Sequence, residues 1–239
     1  MAWFDPGFLS RLPRLLLMPV RAVLFDFDGV LADTENLHVT AWERTFARLG
    51  WDVDPDTCAR AAEEDDRDFL HSIFAERKLL DSHADLDGYL QAKQRWMRQL
   101  LADRPRLYPG VESLIGRLKG SYRLAVVTTT WRENVEIALG AANLLGAFDR
   151  IISKDDGVSP KPAPDLYRLA LEKLRLKPVS ALAVEDSPAG IASAREAGIA
   201  ALAVGHRRAA GQWSRHAIGY VDGLTRMDEF YAAARLTPA

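Results

Sequence analysis

Cysteine is nearly absent from this chain: Cys58 is the single thiol in 239 residues. One cysteine cannot close an intramolecular disulfide, and a lone thiol fits a reducing, cytoplasmic setting. Cys58 reads as a small buried hydrophobe. An excess of charge is also lacking. Thirty-one basic and 33 acidic residues leave a net charge of -2, which argues against nucleic-acid binding, since that needs a basic excess or stripe. No apolar run approaches the ~18 residues of a membrane span, so no membrane role is expected. Internal repeats and low-complexity segments are missing too. What is present is an ordinary apolar fraction, 48%, in a chain long enough to bury a sizeable core.

The first seventeen residues stand apart. They carry Arg11, Arg14 and Leu15-Leu16-Leu17, yet the apolar stretch is short, Pro13 and Pro19 flank it, and no small-residue cleavage site follows. They are expected to be an extension, or an over-long start ahead of Met18.

From there two textures alternate. Ala22 to Phe27 is a short apolar run ending in polar residues and Gly29, the pattern of a strand buried on both faces. Leu37, Ala41, Trp42, Phe46 and Leu49 then recur at helical spacing, with Gly50 as a C-terminal stop. Up to Pro105 the chain is charge-rich and lacks strand-like runs. Asp68 to Leu80 and Gly88 to Leu101 read as amphipathic helices, and the acidic run from Glu63 to Asp68 reads mainly as a solvated helical face. Beyond Tyr108-Pro109-Gly110 strands return: Leu124 to Thr128, Arg150 to Ser153, Ala181 to Val184, Ala200 to Val204 and a short Gly219 to Val221. Helices over Leu166 to Leu174 and Pro188 to Ala197 lie between them. Such alternation predicts an α/β fold, a doubly wound parallel sheet. The helical stretch follows the first strand, so it emerges at that strand's carboxyl end, where open α/β sheets bind ligands. That position suits a lid. The expected division is an extension over 1–17, an α/β core over 18–33 and 106–239, and a helical cap over 34–105.

Polar clusters fall where strands end. They are Asp26-Phe27-Asp28-Gly29, Thr128-Thr129-Thr130, and Glu185-Asp186-Ser187, with Ser159-Pro160-Lys161-Pro162 opening a helix. Strand ends of a parallel sheet converge on one crevice. Asp26, Asp28, Glu185 and Asp186 would bring four carboxylates together, and like charges that close oppose ionisation. A hard divalent cation resolves the conflict. Oxygen donors without histidine or cysteine select Mg²⁺ over zinc. Lys161 offers a point charge for a phosphate and Thr128 a hydroxyl. This inventory suits phosphoryl transfer. One aspartate would act as nucleophile and a second as acid and base. Asp26 and Asp28 fit these roles, and spacing leaves open which takes which.

The run from Asp26 to Glu35, Asp-Phe-Asp-Gly-Val-Leu-Ala-Asp-Thr-Glu, resembles the first motif of the haloacid dehalogenase superfamily. Thr128, Lys161 in Lys-Pro-Ala-Pro-Asp, and Glu185-Asp186-Ser187 stand where the second, third and fourth motifs are expected. The resemblance implies a Rossmann-like core with a helical cap. It implies Asp26 as nucleophile and magnesium ligand, and Asp28 as acid/base with its backbone carbonyl on the metal. Asp186 and Glu185 would complete the metal site, while Thr128 and Lys161 grip the phosphate. Asp33 to His38 and Ala41-Trp42 are similar to the branch holding β-phosphoglucomutase and the CbbY-like sugar-phosphate phosphatases. That likeness makes Thr34 and His38 candidates for timing the acid/base step. The Val127 to Thr130 strand end, with Thr129 a substrate candidate, looks more like the CbbY-like enzymes, which act on xylulose 1,5-bisphosphate. One departure concerns the cap: Ala61 to Arg67 replaces a glycine-containing substrate loop. Arg67 and Lys93 are the cap cations that would reach a second phosphate or a sugar. The expected protein is thus a Mg²⁺-dependent phosphohydrolase for a small phosphorylated metabolite, a sugar phosphate, acting as a monomer or weak dimer. A phosphosugar mutase, or a silent binding protein on the same fold, are the alternatives.

Overall fold

The computed structural model describes residues 19–48, 50–60, 65–77, 86–103, 106–206 and 208–237. The extension expected over 1–17 lies outside these residues. Six strands form one wholly parallel sheet: β1 (Ala22–Phe25), β2 (Arg123–Val127), β3 (Arg150–Ile152), β4 (Ala181–Glu185), β5 (Ala200–Val204) and β6 (Gly219–Val221). Their spatial order is β3-β2-β1-β4-β5-β6. The chain runs outward from β1 to one edge, returns, and runs to the other. This is the doubly wound order, with its reversal between β1 and β4.

The strands are apolar throughout because both faces are covered. Val23 and Phe25 belong to one buried cluster, with Leu114 and Ile115 of α5 (Val111–Leu118), Val135 of α6 (Arg132–Ala141) and Phe230 of α9 (Met227–Ala234). Ala22 and Leu24 belong to the opposite cluster, with Leu166 and Tyr167 of α7 (Asp165–Leu174) and Ile191 and Ala194 of α8 (Pro188–Glu196).

Between β1 and α5 the described residues form α1 (Glu35–Arg48), α2 (Pro55–Ala59), α3 (Asp66–Glu76) and α4 (Leu86–Asp103). They enclose a third cluster of Trp42, Phe46, Cys58, Phe69, Leu70, Ile73 and Phe74. Trp42 stacks on Phe46, and Phe46 on Trp51, with centroids 5.2 and 5.9 Å apart. Cys58 is buried there as a small apolar group. Polar contacts join this cap to the sheet domain. Arg98 of α4 pairs with Glu133 of α6 at 2.6 Å, and Asn134 of α6 donates to Gln94 of α4 at 2.9 Å. No helix among the described residues is long and apolar enough to cross a membrane.

Candidate active site

β1 ends at Phe25, and the chain turns at once. Leu31 and Ala32 both donate to the Phe27 carbonyl at 2.9 Å, closing a tight loop. Gly29 has φ +76° inside it, and a Cβ there would fall 1.9 Å from Asp186 Oδ2. Glycine is therefore required twice, for its left-handed backbone and for the approach of the β4 loop. The turn places Asp26 and Asp28 in different surroundings, although a continuing strand would have pointed both the same way.

Asp26 faces Lys161. The ammonium lies 2.8 Å from Asp26 Oδ1 and 2.7 Å from Glu185 Oε1. Its charge is nearly sealed from solvent, and it sits 5.5 Å over the Tyr167 ring. Tyr167 also donates its hydroxyl to Glu185 Oε1. Glu185 Oε2 is buried with no hydrogen-bond partner among the described residues. Asp26, Glu185 and Asp186 each offer a carboxylate oxygen, all within 4.8 Å of one another. These three fit a hard divalent cation: the donors are all oxygen, and a buried acceptor stands unsatisfied among them. The Asp28 side chain is not part of this group, so three of the four expected carboxylates come together. Burial pushes Glu185 up to about 8 against the pull of Lys161, and Asp186 up to about 7 with the help of Asp26. Burial also raises Asp26, opposed by Lys161. Burial works against Lys161 as well, but its two carboxylates outweigh that and hold it charged.

Asp28 is drawn aside by hydroxyls. Thr34 donates to its Oδ1 and Thr130 to its Oδ2. His38 Nε2 lies 3.9 Å from Oδ1. Burial alone would raise the Asp28 carboxyl, but His38 and the two hydroxyls outweigh it and hold it below the ordinary value. Thr128 is buried and accepts from the Thr130 backbone N–H at 3.1 Å.

The cap candidates separate. Lys93 is fully buried: its ammonium bonds both Asp66 oxygens at 2.8 Å and meets His38 Nδ1 at 2.9 Å. Burial would raise Asp66, but Lys93 holds it below the ordinary range. Arg67 instead pairs with Asp87 at 2.6 Å on the exposed side of the cap. Thr129 is exposed, while its neighbour Thr130 reaches Asp28. Alternation at a strand end puts residues 128 and 130 on one side, a signal that favours Thr130 over Thr129. Asp66 is largely enclosed rather than on a solvated face, whereas Arg67 and Asp68 beside it are exposed. Tyr167 carries no motif that sequence reasoning could have used.

A doubly wound sheet, a crevice of carboxylates and lysine at its switch point, and an inserted helical cap define a capped α/β enzyme. The model described as haloacid dehalogenase-like hydrolase matches residues 23–204, and the chain belongs to that family. A CbbY protein of Rhodobacter capsulatus is 39% identical over 196 residues, covering 76% of this chain and 84% of its own. A β-phosphoglucomutase of Bacillus subtilis is 27% identical over 190 residues, covering 78% and 84%. The crystal structure of a mutant CbbY from Rhodobacter sphaeroides in complex with xylulose-(1,5)-bisphosphate superposes with a TM-score of 0.73 at 32% identity. It covers 87% of this chain and 96% of that one.

Proposed function

We propose that this protein is a Mg²⁺-dependent phosphatase of a small phosphorylated sugar, working through an aspartyl phosphate on Asp26. The observation that carries the reading is the pairing of Asp26 with the buried Lys161 at 2.8 Å, beside the Glu185 and Asp186 carboxylates. Asp26, Glu185 and Asp186 would hold the ion, with the Asp28 backbone carbonyl completing the family's arrangement. Mg²⁺ when bound supplies positive charge that lets clustered carboxylates ionise and neutralises phosphoryl oxygens.

The chain's own groups do the rest. Lys161 and the Thr128 hydroxyl orient the phosphoryl oxygens. An Asp26 oxygen attacks phosphorus as the ester P–O bond breaks, and Asp28 gives its proton to the departing alkoxide. Asp28 is held ionised by His38 and by its two hydroxyl partners, and a phosphate dianion beside it favours its protonated form. It then takes a proton from water as that water attacks the aspartyl phosphate. Phosphate leaves and Asp26 is restored. Thr34, Thr130 and His38 keep Asp28 placed for both steps. The second reading is a phosphosugar mutase, favoured by the Thr34 and His38 contacts to Asp28 and by the β-phosphoglucomutase relative.

The test is phosphate release from a panel of sugar phosphates with Mg²⁺, with Asp26→Asn beside the wild type. Release that the variant loses supports the phosphatase. Isomerised sugar phosphate without release moves the protein to the mutase. Neither product from any sugar refutes both.

A further inference from the structure

The chain crosses between the sheet domain and the cap twice, and the two crossings lie side by side. Ala32 bridges Leu107, the Asp33 N–H donates to the Arg106 carbonyl at 2.7 Å, and the Tyr108 N–H donates to the Leu31 carbonyl at 3.0 Å. His206, from far along the chain, touches both crossings. It stands two residues beyond β5, where the Gly205 N–H bonds the Val221 carbonyl at 2.9 Å. Its Nε2 lies 3.1 Å from the Val30 carbonyl. Its ring lies flat on Tyr108, with centroids 3.7 Å apart and planes 2° from parallel. A carbonyl only accepts, so an imidazole proton sits on Nε2. The other ring nitrogen faces Gly223, where a Cβ would stand 3.2 Å from it, so a larger residue there would press on the ring. Burial holds His206 below the ordinary imidazole value, against the pull of the Val30 carbonyl and Asp33. The neutral ring then commits its one N–H to Val30.

That bond meets the catalytic loop at a selective point. Asp26 is anchored from the sheet: its N–H bonds the Val184 carbonyl at 3.0 Å, and its side chain meets Lys161. Asp28 lies beyond the end of β1, two residues before Val30. Its hydroxyl partner Thr34 stands four residues after Val30, on the outgoing crossing. Holding Val30 therefore holds Asp28 and Thr34 in register, while Asp26 keeps its own anchor. Taking the phosphatase reading as its base, we propose that His206 is a positioning residue for the proton-transfer step. It clamps Val30 to Tyr108 and so keeps Asp28 aimed at the leaving oxygen, without touching the substrate itself. Its leverage falls on the general acid and not on the nucleophile.

The experiment separates the two carboxylates by leaving group. A sugar alkoxide departs with a proton from Asp28, whereas the nitrophenolate of p-nitrophenyl phosphate is a weak base and leaves without one. The kcat/KM value reports the steps up to formation of the aspartyl phosphate, when the leaving group is expelled. His206→Ala is expected to lower kcat/KM about tenfold for the sugar phosphate that the wild type hydrolyses fastest, and less than about twofold for p-nitrophenyl phosphate. His206→Gln, whose amide can donate from a similar reach, is expected to bring the sugar phosphate back to within about threefold of wild type. His206→Phe keeps a ring on Tyr108 without the donor and is expected to match alanine. It takes alanine's place if thermal melting shows His206→Ala unfolded. Equal losses on both substrates in a folded variant would mark a general disturbance of the site and overturn the proposal. Unchanged kinetics in a folded variant without the donor would overturn it too, and either result leaves the phosphatase standing. A wild type that releases phosphate from no sugar phosphate removes the phosphatase reading, and this proposal with it.

Discussion

Gly190→Ala sets two physical expectations against each other. Gly190 lies in the first turn of α8, where its N–H bonds the Ser187 side chain at 3.0 Å. Helix propensity alone predicts that alanine would stabilise this position by about 1 kcal/mol. The structure predicts the opposite, because a Cβ at Gly190 would lie 1.8 Å from Glu185 Oε2. The helix backbone is fixed by packing, so the glutamate side chain must move. It would then leave Lys161, now 2.7 Å away, and the Tyr167 hydroxyl. Leaving buried polar partners unsatisfied costs about 1–3 kcal/mol each. Net of the propensity gain, a loss of about 2 kcal/mol follows, or about 5 °C in Tm for a chain of this size. Activity should fall further than stability, since displacing a positioned group by about 1 Å costs on the order of 100-fold. Calorimetric titration of Mg²⁺ beside phosphate release and a melting curve reads all three. A variant as active as wild type, with unchanged Mg²⁺ affinity and an unchanged or raised Tm, would refute the placement of Glu185.

Other outcomes follow from the same geometry. Glu185 and Asp186 have folded values raised to about 8 and about 7, so the folded state holds protons that the unfolded chain has released. Stability from this pair is full below the ordinary carboxylate range and is lost as pH rises through those values. The metal-free protein should therefore melt lower at about pH 8.5 than at about pH 6, and added Mg²⁺ should recover the difference; a flat or rising profile without metal contradicts the clustering. Lys93→Met leaves the Asp66 carboxylate without its counter-charge and should cost about 3 kcal/mol. Lys93→Met with Asp66→Leu should recover more than half of that loss in denaturant unfolding, and a single variant as stable as wild type would deny the pair.

The strands were legible because they are buried on both faces. Ala200–Val204 and Gly219–Val221 end where their apolar runs end, and the others match within two residues at each end. Helices α5 and α6 went unread, although Val111, Leu114, Ile115 and Leu118 do follow helical spacing. Asp26, Lys161, Glu185 and Asp186 could be gathered from sequence because strand ends of a parallel sheet must converge. The separation of Asp28 from that cluster could not, since it depends on the strand stopping at Phe25, on the nearby Thr34 hydroxyl and on the Thr130 hydroxyl arriving from a distant segment. The enclosure of Lys93 and Asp66 was hidden for a different reason. Each looks like a surface charge on its own helix, and only the packing of α3 against α1 and α4 makes them a buried pair.

The most direct test of the central claim is to quench the enzyme in acid during turnover of a hydrolysed sugar phosphate and map the phosphoryl group by peptide mass spectrometry. The account predicts a phosphorylated peptide whose modified residue is Asp26, absent from Asp26→Asn. Turnover with the label on another residue, or undiminished turnover by Asp26→Asn, would contradict it.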